Sequence, residues 1–145
     1  MNKILANTDI GKKNIYFGIA LFLILGFVVG VPLTVGLFGG SLLSDTQYQA
    51  WKILHAYGVF TAFVNFFFGF VVDRLSLTRQ QKEIASWSFL VAGIVGGIGR
   101  PILLLLSVPG MAGSYIISFI ETLGFIVGTL FFVWGQIKGG LQPAG

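Results

Sequence analysis

Four long apolar runs, separated by short polar breaks, decide what this chain can fold into: Asn14 to Phe38, Ala50 to Val72, Ile84 to Ser107 and Ala112 to Gln136. Each has roughly the 20 apolar residues that a helix needs to cross a bilayer. Hydrocarbon offers no partner for backbone N–H and C=O groups, so such runs must become helices. The expected fold is all-α, a four-helix transmembrane bundle forming one integral membrane domain over residues 1–145. Composition points the same way. Charged residues make up 10% of the chain, against about 25% in soluble domains, and mean hydropathy is +0.89. The first run is too long for a cleavable signal peptide and lacks a clear small-residue cleavage site, so it is expected to stay as a helix.

The breaks set the topology. Gly39-Gly40-Ser41 through Gln49 reads as a short polar loop, and Asp73 to Glu83 carries Arg74, Arg79 and Lys82. Val108-Pro109-Gly110 reads as a tight turn that makes the last two helices antiparallel neighbours. The tail beyond Lys138 is expected to fray. Lys3, Lys12, Lys13, Arg74, Arg79, Lys82 and Lys138 fall on one side of this map, and Lys52 alone on the other. Basic residues collect on the cytoplasmic side, so both termini and the middle loop are expected in the cytoplasm, with the protein in the cytoplasmic membrane. The net charge of +4 is spread over these flanks; it speaks for lipid as the partner and against nucleic acid. The chain has no cysteine, which excludes disulfides, thiolate metal sites, iron–sulfur clusters and covalently attached c-type haem.

Ionisable side chains in lipid usually have a partner or a job. Three lie well inside the spans, and all fall in the outer half of the bilayer. His55 is about 7 Å deep, Arg100 about 10 Å and Glu121 about 13 Å, at 1.5 Å per helical residue. His55 is the chain's one histidine. A lone imidazole can hold one axial position of a haem iron, whereas zinc and copper sites need three or four ligands. His55, Gly58, Ala62, Asn65 and Gly69 recur at helical spacing, so they form one small, polar stripe. That stripe suits either a ligand-lining face for a macrocycle or a helix-packing seam.

The third span carries Gly93, Gly96, Gly97 and Gly99 ahead of Arg100-Pro101. The glycines permit close approach, and Pro101 can kink the helix. Arg100 fits an anionic group such as a haem propionate, or an ion pair with Glu121 tying two helices together. A carboxylate in lipid without a partner favours its neutral form, so the pair is the simpler account. Gly26-x-x-x-Gly30 before Pro32 reads as packing plus a kink. Trp51, Trp87, Trp134, Tyr16 and Tyr48 lie near span ends, where aromatic residues anchor in the interface.

The pattern Trp51-x-x-x-His55 opens the second span after an apolar first span and a short outer loop. The fourth span holds Ile117-Ser118-Phe119-Ile120 and Phe125-x-x-Gly128-x-Leu130. In these motifs and in layout the chain resembles styrene oxide isomerase, a family of small tetraspan membrane enzymes that bind haem b. The resemblance implies that His55 is the axial haem ligand. It further implies that ferric iron acts as a Lewis acid on an epoxide oxygen to give a carbonyl product, and that haem sits between protomers of a trimer. Two positions depart from the family. Six residues after the histidine, where the family has asparagine, stands Thr61; Asn65, one turn deeper, is the candidate catalytic amide. Where the family has Gly-Trp-Ala-Asn and a nearby tyrosine in the third span, this chain has Gly97-Ile98-Gly99-Arg100-Pro101 and no tyrosine.

Three readings follow. One is a haem isomerase acting on a small apolar substrate, with His55, Gly58, Ala62 and Arg100 holding the cofactor and Asn65 near the chemistry. Another is a haem-binding protein without catalysis, for sensing, gas binding or haem handling. The third is a small accessory subunit whose glycine seams pack against larger partners. An ion pathway through Arg100 and Glu121 is disfavoured, because the inner halves of the spans are almost purely apolar.

Overall fold

Four helices are built from these runs, and their ends are set by local chemistry that hydropathy does not register. The computed structural model describes residues 9–34, 45–105, 111–139 and 141. Helix α1 covers Lys12–Thr34 and passes through a π-helical stretch at Phe22–Val29. Helix α2 covers Asp45–Val71 and closes in a 3₁₀ turn at Val72–Arg74. Helix α3 starts at Arg79, turns π-helical at Gly93–Gly99 and continues through Arg100–Leu105. Helix α4 covers Met111–Gly139. Lys12–Thr34, Tyr48–Arg74 and Tyr115–Gly139 are each long and apolar enough to cross a membrane, and α3 packs among them as the fourth member of an all-α membrane bundle. The expected turn at Val108-Pro109-Gly110, the Gly39–Ser41 loop and the tail from Gln142 lie outside the described residues.

Helix α3 begins five residues before the apolar run does. Thr78 accepts from the Gln81 N–H at 3.3 Å, and the Gln81 side chain accepts from the Thr78 N–H at 3.1 Å. This reciprocal capping box satisfies two amides that a helix start leaves open. It turns part of the expected Asp73–Glu83 loop into helix.

The helices meet through glycine. In lipid there is little hydrophobic drive between helices, so close backbone approach carries the packing. A Cβ on Gly18 would lie 2.6 Å from the Ala62 carbonyl oxygen, and one on Gly69 would lie 2.6 Å from Ile15 Cγ1. Between α3 and α4, a Cβ on Gly124 would lie 2.7 Å from the Ser88 carbonyl oxygen. One buried cluster joins Ile10, Phe68, Val72, Leu75, Ala85 and Phe89, with the Phe68 and Phe89 rings 4.2 Å apart. A second joins Leu21, Leu25, Val29, Leu54 and Ala62.

One end of the bundle gathers the start of α1, the α2–α3 connection and the end of α4. Asp73 accepts from the Ile10 and Gly11 N–H groups at 3.1 and 2.9 Å, capping α1 with a carboxylate. Lys13 pairs with Glu83, Arg79 with Asp9, and Leu75 bridges to Leu141. Lys12, Lys13, Arg74, Arg79, Lys82 and Lys138 thus flank the same end.

Candidate functional site

His55 lies in the groove between α1 and α2, half-buried. Its Nδ1 is 2.9 Å from the Leu25 carbonyl oxygen, inside the π-helical stretch of α1. A carbonyl oxygen can only accept, so the contact requires the proton on Nδ1. In the neutral ring Nε2 then keeps its lone pair, the form in which a histidine ligates a metal. Gly30 of α1 lies against the same ring: a Cβ there would stand 2.7 Å from Nδ1, 3.3 Å from Nε2, and closer still to Cε1. The neighbouring exposed positions of α1, Phe27, Val28 and Val31, are all apolar. Trp51, one turn before His55, packs partly buried against the Leu21–Leu25–Leu54 cluster.

The stripe that begins at His55 is a packing seam. A Cβ on Gly58 would lie 2.8 Å from Leu25 Cβ. Ala62 is 1% exposed, beneath Leu21 and Leu25. Gly58 and Ala62, expected to line a cofactor face, both lie against α1.

Asn65, the candidate catalytic amide, lies inside the bundle. It is fully buried, and its side-chain N–H groups donate to the Thr61 and Phe89 carbonyls at 3.0 and 3.1 Å. Its Oδ1 accepts from Asn14 Nδ2 at 3.0 Å; Asn14 also donates to the Ser86 carbonyl at 3.0 Å and accepts from the Ser86 hydroxyl. These bonds join α1, α2 and α3 in one satisfied network, so the Asn65 amide is committed to structure. Asn14 and Ser86 escaped the sequence reading because each stands singly at the edge of an apolar run. Their equal depth on three helices was the available signal. The half of the bundle nearer the α2–α3 connection is consequently less apolar than the sequence suggested. Thr61 is buried as well. Its hydroxyl donates back to the Tyr57 and Gly58 carbonyls at 2.9 and 3.2 Å, and it faces Gly97 of α3.

The structure brings Arg100 and Glu121 together. The Arg100 Nη2 donates to the Glu121 carboxylate, and to the Ser118 hydroxyl at 3.1 Å. The Arg100 guanidinium also lies 4.8 Å from the Tyr57 ring centroid, in cation–π range. Its Nε is buried without a hydrogen-bond partner. Gly96 makes room for the carboxylate, since a Cβ there would collide with Glu121. Tyr57 and His55 project from different flanks of α2, so within one chain Arg100 is turned toward α4 rather than toward the imidazole.

Among the described residues, no three His, Cys, Asp or Glu side chains gather in metal-binding range. The arrangement is a membrane helix bundle with one half-buried imidazole between α1 and α2. The family model for styrene oxide isomerase matches residues 11–138. The chain belongs to the styrene oxide isomerase family. No curated protein and no solved structure matches it significantly.

Proposed function

We propose that this protein is a haem b-binding membrane isomerase that converts a small apolar epoxide, drawn from the bilayer, into a carbonyl compound. The observation that carries this reading is the His55 imidazole with Nδ1 tied to the Leu25 carbonyl and Nε2 left to ligate. The residues fit the group. A haem needs one axial nitrogen with a lone pair, and the exposed α1 side chains Phe27, Val28 and Val31 near this one are apolar. When bound, ferric haem supplies a Lewis acid for the epoxide oxygen, so that ring opening with a hydrogen shift gives the carbonyl with no atom gained or lost. His55 would fill one axial position, and the chain has no second histidine to fill the other. One imidazole would hold the group from one side only, which suits a haem shared between copies, a trimer by family resemblance.

A second reading has its own observation. Thr61 and Asn65 are both spent on buried hydrogen bonds, and α3 has no tyrosine among its described residues. This favours a haem protein that binds a gas or handles haem without turnover. Purified protein produced with ample haem should show a Soret band that shifts on adding cyanide or imidazole. Turnover of an aryl epoxide then separates the isomerase from the silent haem protein. A colourless preparation would end both readings in favour of an accessory subunit.

In this reading the end that gathers Lys12, Lys13, Arg74, Arg79, Lys82 and Lys138 faces the cytoplasm, and the protein lies in the cytoplasmic membrane. A reporter fused after Gly145 and one inserted at Ser41 should report opposite sides. Finding both on one side would refute the four-span map.

A further inference from the structure

The π-helical stretch of α1 meets α2 where the His55 imidazole lies. Gly18 of α1 lies against Ala62 and Phe66 of α2, and Gly30 lies against His55. A π-helical turn, bonded from i to i+5, holds extra residues per turn. In and just after this stretch two groups meet one imidazole: the Leu25 carbonyl at Nδ1 and the bare Cα of Gly30 beside the ring.

Building on the haem reading above, we infer that Leu25 and Gly30 are positioning residues for His55. The Leu25 carbonyl holds the Nδ1–H tautomer, and Gly30 holds open the space the ring needs. Partners of a ligating histidine's other nitrogen fix its orientation and raise its basicity. Here the partner is a neutral backbone carbonyl, so the imidazole gains donor strength without a second charge entering lipid. A stronger donor favours ferric over ferrous iron, the state a Lewis acid needs. Crowding the ring with a methyl group at residue 30 must displace it, because backbone on one side and imidazole on the other leave a new Cβ no room.

Two measurements test this. The chain has one histidine, so ¹⁵N-histidine labelling reads this imidazole alone. In the full-length chain produced without haem, in detergent, Nδ1 should be protonated and Nε2 bare. An Nε2–H tautomer, or rapid averaging between the two, would overturn the inference. In haem-loaded protein, Gly30→Ala should weaken haem affinity by about 10- to 100-fold, as losses around a ligating histidine do, and should raise the reduction potential of what remains bound. Gly26→Ala is the control: its Cβ would meet only Phe22 of its own helix, at an ordinary 3.4 Å, and both properties should stay at wild-type values. Equal affinity and potential in Gly30→Ala and wild type would also overturn it. If the wild-type protein binds no haem, the cofactor reading fails, and the tautomer measurement still decides whether Leu25 holds the ring.

Discussion

His55→Ala should abolish the Soret band, or leave haem so loosely held that it is lost on purification, while the helical bundle survives. The separation of the two effects is the point of the experiment. His55 is half-buried, and among the described residues its ring hydrogen-bonds a single backbone carbonyl, at 2.9 Å. The α1–α2 seam around it is held by Gly18, Ala62, Leu21 and Leu25, which the substitution leaves in place. Circular dichroism should therefore stay near wild type. Added imidazole should restore part of the spectrum by entering the vacated axial position. A variant that keeps the wild-type Soret band and its response to cyanide would assign the iron to another residue.

Glu121→Gln should produce the largest loss of stability. The Arg100 and Glu121 side chains are 18% and 7% exposed. Removing one partner of a buried pair costs about 3–5 kcal/mol, because the remaining charge is stranded. The guanidinium would keep Ser118 and the Tyr57 ring, which places the expected cost toward the lower end of that range. The measurement is thermal unfolding in detergent. The double change Arg100→Met, Glu121→Leu should recover part of the loss, since apolar replacements of both partners are often neutral or stabilising. Strictly additive losses would contradict the pairing seen here.

Much of the fold was legible because lipid leaves the backbone little choice. The first and last apolar runs read directly as helices, and the described residues 14–34 and 112–136 are helical. The edges were less legible, since they rest on hydrogen bonds rather than hydropathy. Thr78 and Gln81 start α3 inside what composition marks as a polar loop. At the site, the sequence singled out His55, Arg100 and Glu121 through the cost of placing them in lipid. That cost says nothing about direction. Gly58 and Ala62 share a stripe with His55, yet they serve the α1–α2 seam, and only the neighbouring helix determines which. Asn65 looked chemical because a polar residue in a span invites a role, whereas Asn14 and the Phe89 carbonyl supply it with partners from more than 20 residues away in sequence. The π-helical stretch was hidden altogether, since its residues, Phe22–Val29, are as apolar as any α-helical run.

The carboxylate that caps α1 comes from far downstream. Asp73 lies 63 residues after Ile10 and 62 after Gly11, the two amides it accepts from. A ribosome releases the chain from its N-terminus, so when α1 first enters the membrane its leading amides have no such cap. They gain it only after α2 has crossed and Asp73 has returned to the same face. The contact thus ties the entry of the first helix to the return of the second, and it forms only where Asp73 lies at the end of the bundle at which α1 starts.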